Sequence, residues 1–339
     1  MADNRNYNKQ LTLADVAKKA NVSIKTVSRV INDEPYVGKV TRQRVLDIIQ
    51  EVNFHPNRAA RRLASKYSHV IGMLVPSIDY PIFPIMILGV EKVMHDHNYE
   101  VLVYNTDVAP ENTRKGLELL EENQVDGVMV FTVNHLSADE LRQLLGRQRA
   151  SVLVNMTLPW SQAGVVRIDV VHGIEILVQH LLAAGRQRIA LLTYPKSNYS
   201  AVERMRGYRQ AVAKFGLPLD EDLIIICDDS QDAVFQRVQD VLTNGPEVDA
   251  IICYNDLMAS TVLKACFDLG IAIPDQVAIT GFDNIPFTEL FKCSLTTVNI
   301  PWFEMGVQAA EMMLERINGN LATPEVIIKP ELVVRESAP

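Results

Sequence analysis

The first 55 residues carry apolar side chains at intervals of three and four positions, in short stretches separated by polar turns. The stretch Thr12-Leu13-Ala14-Asp15 is typical of a capping box, so a helix is expected to begin there and to end near Ala20. Asn21-Val22 indicates a tight turn, and Ser23 is suited to cap a second helix. The apolar positions of that second helix follow helical spacing: Val27, Val30 and Ile31. Two short helices joined by such a turn predict a helix-turn-helix unit.

A third helix is predicted next, with Thr41 as its cap and with Asn53 and Pro56 ending it. Its apolar face consists of Val45, Ile48, Ile49 and Val52. The three helices together supply enough apolar surface for a small core. An ordinary three-helix bundle with solvated basic faces would show the same periodicity.

From His69 onward, short β-rich apolar runs alternate with helical periodicities, which is typical of βαβ units and a parallel sheet. Strands are expected at Val70–Val75, Glu100–Tyr104, Gly127–Phe131, Ser151–Val154, Val165–Ile168, Ile189–Thr193, Leu223–Ile226, Ala250–Cys253 and Val277–Thr280. Helices are expected at Ile85–His97, Arg114–Asn123, Ile174–Ala184, Ala201–Phe215 and Leu257–Leu269. Open α/β sheets bind ligands in a crevice at the carboxyl ends of their strands, so a ligand crevice is expected here.

Charge is distributed unevenly between these two parts of the chain. The formal net charge of the 339 residues is −8. Residues 1–69, however, contain 13 Lys and Arg against 6 Asp and Glu, a net charge of +7, which leaves −15 for the remainder. The charge of the amino-terminal part therefore favours binding to a polyanion, and the charge of the remainder does not.

The four cysteines, Cys227, Cys253, Cys266 and Cys293, show no metal-ligand spacing and no disulfide framework, so reduced core thiols and no metal site are expected. The amino terminus lacks an apolar signal region, and no run of eighteen apolar residues occurs. These features predict a cytoplasmic protein without a membrane span.

Three segments of the first unit, Leu11–Ala17, Ala20–Ser23 and Thr26–Asn32, resemble the amino-terminal signature of the lactose-repressor (LacI/GalR) family of bacterial transcription regulators. The resemblance implies that Ile24, Lys25 and Thr26 enter the major groove of DNA, and that Arg29 donates to a guanine edge. The DNA-contacting set expected in this unit is Thr12, Ser23, Ile24, Lys25, Thr26, Ser28, Arg29 and Asn32.

The following segment, residues 55–65, resembles the family's hinge, a short helix that becomes ordered on the operator. Asn57, Arg58 and Ala60 are expected to contact DNA. Leu63 is expected to act as a wedge in the minor groove. The domains predicted are a helix-turn-helix domain at 1–55, a hinge at 56–68 and an effector-binding and dimerisation domain at 69–339.

The long carboxyl-terminal part resembles the family's sensor domain, an α/β domain of the periplasmic-binding-protein-like (type I) class with two parallel-sheet lobes. The expected lobes are 70–164 with 296–324, and 165–295 with 325–339. The resemblance places Arg204, Asn255 and Asp283 at the family's polar effector contacts. An arginine fork, an amide and a carboxylate can together satisfy vicinal hydroxyls or a ring edge.

Further effector contacts are expected from Phe83 and Phe131 as an apolar wall, and from Asp169 and Ser200 as secondary polar groups. Trp160 is a weaker candidate for the same wall, because it lies in a loop without a family match. The family implies a sugar-like small-molecule effector and no cofactor.

These expectations describe a sequence-specific repressor of a metabolic operon, controlled allosterically by a small metabolite that binds between the lobes. Because one helix-turn-helix reads only a half-site, a homodimer on a pseudo-palindromic operator is expected. An enzyme on the same fold class is an alternative. Nucleotide-binding, nucleophile-elbow and zinc-protease motifs are absent, however, and the seven histidines are dispersed. A transport-type sugar-binding protein is a second alternative, but it would need a signal peptide and would not need the basic leading segment.

Overall fold

The computed structural model describes residues 11–31, 34–52, 54, 67–133, 136–159, 162–195, 199–228, 230–322 and 324–339. The chain divides into two compact units between Ser68 and His69. Each unit has its own core.

The described part of the first unit contains three helices, α1 (Leu13–Ala20), α2 (Ile24–Ile31) and α3 (Lys39–Glu51). The predicted capping box is confirmed, since the Thr12 hydroxyl accepts from the Asp15 amide and the Asp15 carboxylate accepts from the Thr12 amide. Asn21 ends α1 in the left-handed region, with a φ of 53°. The buried core consists of Val16, Ala17, Ala20, Val27, Val30, Val45 and Phe54. The predicted helix-turn-helix unit is therefore present.

The start of α3 differs from the prediction. Gly38 precedes the helix, and its carbonyl already accepts from the Arg42 amide at 2.9 Å. Thr41 consequently lies within the first turn and does not cap the helix.

The second unit has two lobes, each built on a parallel sheet. The first lobe has six strands in the order β11-β5-β4-β3-β1-β2. These are β1 (Val70–Val75), β2 (Glu100–Asn105), β3 (Gly127–Phe131), β4 (Ser151–Val154), β5 (Gly164–Ile168) and β11 (Glu325–Ile328). Its helices are α4 (Ile82–Asp96), α5 (Pro110–Glu122), α6 (Ala138–Leu145) and α11 (Trp302–Ile317).

The second lobe has four strands in the order β7-β6-β8-β9. These are β6 (Ile189–Thr193), β7 (Ile224–Ile226), β8 (Ala250–Cys253) and β9 (Ala278–Thr280). Its helices are α7 (Val170–Ala183), α8 (Tyr199–Lys214), α9 (Gln231–Asn244) and α10 (Asp256–Leu269). All four cysteines are free and buried, as predicted.

The chain passes between the lobes at three places, near residues 169, 300 and 330. The Asp169 amide donates to the Ile328 carbonyl at 2.9 Å, which sets the first crossing beside the third. An antiparallel ladder of β10 (Thr297–Asn299) and β12 (Glu331–Val333) sets the third beside the second. The three crossings therefore lie side by side.

The predicted lobe boundaries are corrected by these pairings. The strand β5 pairs with β4, and β11 pairs with β5, so 164–168 and 325–328 belong to the sheet of the first lobe. Residues 334–339 belong to the second lobe, where the Ser337 hydroxyl donates to the Ile279 carbonyl at 2.6 Å. The error arises because strand pairing across the chain has no local signal in an apolar run.

Helices α4 and α11 cross with their backbones in close approach, and the crossing depends on two glycines. A Cβ added at Gly89 would lie 2.1 Å from the Phe303 carbonyl oxygen. A Cβ added at Gly306 would lie 2.2 Å from the Met86 carbonyl oxygen. Because no side chain fits at either position, glycine is required at both.

Within the described ranges, the structure has no helix that is long and apolar enough to cross a membrane.

Candidate functional site: an interlobe cleft and a helix-turn-helix surface

A cavity of about 220 Å³ lies between the two lobes. The first lobe contributes residues at the carboxyl ends of its strands, among them Pro76 after β1, Thr106 after β2 and Asn155 after β4. The second lobe contributes Ser200, Arg204, Tyr254, Asn255 and Asp283. The cavity is therefore at the edge of the sheets where open α/β folds bind ligands.

Arg204 lines this cleft although only 4% of the residue is exposed. Its guanidinium carbon lies 4.0 Å from the centre of the Tyr254 ring and 4.4 Å from the centre of the Phe282 ring. One terminal nitrogen donates to the Ser200 carbonyl at 3.3 Å, whereas the buried Nε has no acceptor among the described residues. A buried cation with an unused donor is suited to a ligand oxygen.

Asp283 is the buried carboxylate of the cleft, and it accepts a hydrogen bond from the Tyr80 hydroxyl. Burial raises the pKa of Asp283 to about 6, against the opposing effects of the Arg204 charge and the Tyr80 hydrogen bond. Burial, together with the neighbouring Asp283 carboxylate, holds the pKa of Tyr80 well above its ordinary value.

The Asp283 backbone is held in an uncommon conformation, with a φ of 111°. Its amide donates to the Val298 carbonyl, and its carbonyl accepts from the Trp302 indole, each at 2.9 Å. Such strain persists only where surrounding contacts fix it, and it is concentrated at functional sites. These two bonds fix the position of the carboxylate.

Asn255 has two roles in the structure. Its side-chain oxygen accepts from the Met258 amide at 2.8 Å and so caps α10. The side-chain nitrogen is not used by that bond, and the residue lines the cleft.

Asp256, the next residue, is fully buried behind the cleft. It accepts from the Thr297 hydroxyl at 2.5 Å and from the Ile285 amide at 2.8 Å. Burial and the nearby Asp283 charge raise its pKa to about 8. Asp256 thereby ties α10 to the segment that carries Asp283.

The structure brings together five of the seven residues predicted to contact an effector: Phe83, Ser200, Arg204, Asn255 and Asp283. Phe131 lies behind Phe83, with ring centres 6.4 Å apart in an edge-to-face arrangement, and does not line the cavity. Asp169 caps α7 by accepting from the His172 amide at 3.1 Å, and it does not line the cavity either. Trp160 lies outside the described residues.

Three aromatic residues of the cleft were not predicted: Tyr80, Tyr254 and Trp302. Tyr254 adjoins the predicted Asn255, and that proximity was an available signal. Tyr80 and Trp302 reach the cleft from distant parts of the chain, and nothing in their local sequence indicates this.

In the helix-turn-helix unit, the residues at the start of α2 form an accessible surface. Ser23 and Lys25 are exposed, and Ile24 is 52% exposed although it is apolar. Thr26, Ser28 and Arg29 are half-buried, and Thr12 is exposed at the start of α1. The Arg29 Nε lies 3.5 Å from a Glu34 carboxylate oxygen. The other predicted DNA contacts lie outside the described residues, as does the hinge from 56 to 66: Asn32, Asn57, Arg58, Ala60 and Leu63.

A helix-turn-helix unit followed by a two-lobed α/β domain with a buried polar cleft defines a class of protein, the ligand-responsive transcription regulators. Residues 12–57 match the bacterial regulatory proteins of the lacI family, and residues 68–336 match the periplasmic binding proteins and sugar binding domain of the LacI family. The chain belongs to the LacI family of bacterial regulatory proteins. It is a DNA-binding transcription regulator and not an enzyme.

Named relatives align over nearly the whole chain. The ribose operon repressor of Halalkalibacterium halodurans is 34% identical over 96% of both chains. The HTH-type transcriptional regulator DegA of Bacillus subtilis is 32% identical over 96% of this chain and 97% of its own.

Solved structures show the same architecture. A complex of the transcriptional regulator CelR with cellobiose has a TM-score of 0.72 at 29% identity, covering 96% of this chain and 99% of that one. A LacI family regulator from Enterococcus faecium with bound ribose has a TM-score of 0.70 at 27% identity, covering 79% of this chain and 98% of that one.

Proposed function

We propose that this chain represses a sugar-utilisation operon, and that a monosaccharide bound in the interlobe cleft controls its affinity for the operator. The observation that carries the proposal is the set of Arg204, Asn255 and Asp283 around one buried cavity. A charged donor, an amide and an acceptor side by side match the adjacent hydroxyls of a sugar.

The size and walls of the cavity favour a single sugar ring. Pockets for drug-sized ligands measure roughly 300–1,000 Å³, whereas this cavity measures about 220 Å³. The aromatic rings of Phe83, Tyr80 and Trp302 line it and suit the apolar face of such a ring. The ribose found with the Enterococcus faecium relative has this size and chemistry.

The proposed DNA-reading surface is the exposed start of α2, with Ile24, Lys25 and Thr26 in the major groove and Arg29 on a guanine edge. The further proposed contacts are Thr12, Ser23, Ser28, Asn32, Asn57, Arg58, Ala60 and, as a minor-groove wedge, Leu63. Since one helix-turn-helix reads a half-site, the chain acts as a homodimer on a pseudo-palindromic duplex. Its target is chromosomal DNA, so we place it in the cytoplasm.

The experiment is a calorimetric titration of ribose and a panel of other pentoses and hexoses into the wild type and Asp283→Ala. The variant leaves a ligand hydroxyl unpaired, so its affinity should fall about tenfold or more. Asp268→Ala removes a carboxylate from the surface of the same lobe, where it pairs with Lys264, and should not change the affinity.

Operator affinity is measured in parallel by a fluorescence titration, with and without the sugar. Asp283→Ala should bind the operator like the wild type when no sugar is present, and should need far more sugar to respond. Equal sugar affinity in the wild type and Asp283→Ala would contradict the assignment of the cleft.

A further inference from the structure

A second cavity, of about 530 Å³, lies in the first lobe at the edge of the sheet opposite the cleft. We name it the basal cavity. Ser151, which begins β4, and Gln162 and Ala163, which precede β5, line it, together with Arg316 near the end of α11. The interlobe cleft is lined instead by residues that follow the ends of these strands, such as Asn155. The two cavities are therefore separate sites on one sheet.

The basal cavity is basic although the domain around it is acidic. Three arginines, Arg142, Arg149 and Arg316, line it, and no Asp or Glu is among the described residues that do so. Arg142 pairs with Asp139, whose side chain is 84% exposed, so water screens that pair. Arg149 lies 3.4 Å from the buried carboxylate of Asp126. The described lining of the basal cavity therefore carries three cationic side chains and no carboxylate.

Two of these arginines donate hydrogen bonds to backbone carbonyls within the connection between β4 and β5. Arg142 donates to the Pro159 carbonyl at 3.0 Å, and Arg316 donates to the Gln162 carbonyl at 2.7 Å. Arg316 is only 8% exposed, and this burial lowers its pKa. The Nε of Arg142 is buried and has no acceptor in the described part of the chain. Guanidinium groups fixed in this way are pre-organised for an oxyanion.

The remaining lining suits an organic body attached to that anion. Leu145, Ala150 and Ala163 form a buried apolar floor, while Gln148 and Ser151 supply polar groups. The volume exceeds what a bare inorganic ion requires. It is within the range of pockets that hold small organic ligands.

We infer that the basal cavity is a second ligand site, for a small organic anion that carries a phosphate or a carboxylate group. The guanidinium groups of Arg142, Arg149 and Arg316 bind its oxygens, and the apolar floor contacts its carbon skeleton. The site is independent of the sugar that we propose for the cleft.

The test uses pyrophosphate and malonate as probes, titrated calorimetrically into the full chain. Arg142→Gln removes one guanidinium and should weaken probe binding about tenfold or more. Arg142→Lys keeps the charge but loses the planar fork, so its affinity should lie between those of the wild type and Arg142→Gln. The matched control is Arg147→Gln, since Arg147 lies five residues after Arg142, just beyond the end of α6, is exposed and does not line the cavity.

The helix-turn-helix unit and the cleft with Arg204 are the two rival sites for an anion, and the design separates them from the basal cavity. Pyrophosphate that binds the basic helix-turn-helix unit would bind wild type and Arg142→Gln equally, and this result would overturn the inference. A loss in Arg204→Gln without a loss in Arg142→Gln would assign the anion to the cleft and would also overturn it. Absence of binding by both probes at millimolar concentration would do the same.

A loss in Arg142→Gln with unchanged binding in Arg147→Gln and Arg204→Gln supports the site. The probe whose affinity falls then identifies the anionic group that the site binds: pyrophosphate indicates a phosphate, malonate a carboxylate, and both indicate that either is accepted. Unfolding midpoints measured without the probe show that each variant is folded at the temperature of the titration.

Discussion

The phenolic hydroxyl of Tyr80, in the first lobe, donates a hydrogen bond to the carboxylate of Asp283, in the second. The bond spans the cleft and joins residues 203 positions apart in the chain. Asp283 also lines the proposed effector cavity. A ligand that binds its carboxylate must therefore displace the Tyr80 hydroxyl or bind the carboxylate together with it. Occupancy of the cleft and the contact between the lobes are thus linked through one carboxylate.

Tyr80→Phe removes that donor and leaves a buried carboxylate with one partner fewer. We expect the free energy of unfolding of the sensor domain to fall by about 1–3 kcal/mol. Urea denaturation followed by circular dichroism measures it. Tyr104→Phe is the control, because the half-buried Tyr104 hydroxyl makes no hydrogen bond among the described residues, and its change should stay within about 0.5 kcal/mol. Equal losses in the two variants would show that the Tyr80 bond contributes nothing specific.

Stability should depend on pH through the two buried carboxyl groups. Asp283 has a pKa of about 6 and Asp256 a pKa of about 8, both above the value of roughly 3.9 expected in the unfolded chain. Between about pH 4 and pH 8, the folded state therefore binds more protons than the unfolded state. As far as these two groups decide it, the free energy of unfolding should be greatest below about pH 4, the unfolded pKa, and should fall as the pH rises towards 8.

Asp256→Asn replaces the carboxyl group with a neutral amide of the same shape. Through this site, the free energy of unfolding of the wild type should fall by on the order of 3–5 kcal/mol between pH 5 and pH 9. That of Asp256→Asn should fall much less. Denaturant unfolding at a series of pH values compares the two slopes. Parallel slopes would contradict the assignment of the proton to Asp256.

Arg29→Ala should weaken binding to a duplex selected from a random pool by about 1–3 kcal/mol and relax the preference at one base pair in each half-site. The side chain is 36% exposed and lies within ion-pair distance of Glu34. Lys19→Ala removes a charge of the same sign from α1, where Lys19 lies near Glu51, and should cost less, equally on selected and scrambled duplexes. Fluorescence titrations on both duplexes separate the two effects, and an Arg29→Ala loss that is equal on both would rule out base reading.

Gly306→Ala should destabilise the sensor domain by about 1–3 kcal/mol or more, because the added Cβ would overlap the Met86 carbonyl and force α4 and α11 apart. The thermal or urea unfolding midpoint measures this. An unchanged midpoint would mean that the crossing relaxes at no cost.

Much of the secondary structure could be predicted from the sequence, because apolar periodicity reports directly on strands and helices. The expected strands Val70–Val75 and Ser151–Val154 are observed with the same ends. The expected helices Ile85–His97 and Arg114–Asn123 begin instead at Ile82 and Pro110. Neither helix has a side-chain cap at its start, although Pro110 at the first position of α5 was an available signal.

The cleft could be predicted only in part. Arg204, Asn255 and Asp283 were predicted from the family resemblance, and all three line the cavity. Asp169 shows the opposite outcome, since the same residue type that binds hydroxyls also caps helices, and here it caps α7. Tyr80 and Trp302 contribute through tertiary packing alone, which no short stretch of sequence encodes.

The three side-by-side crossings between the lobes restrict how the domain can move. Two bodies joined by a single strand have several rotational degrees of freedom, whereas an array of three adjacent strands leaves one soft axis, parallel to the row. Opening and closing of the cleft is then a motion along one coordinate. We therefore expect a substitution in one crossing to alter the response to each ligand that acts by opening or closing the cleft, even where that residue does not line it.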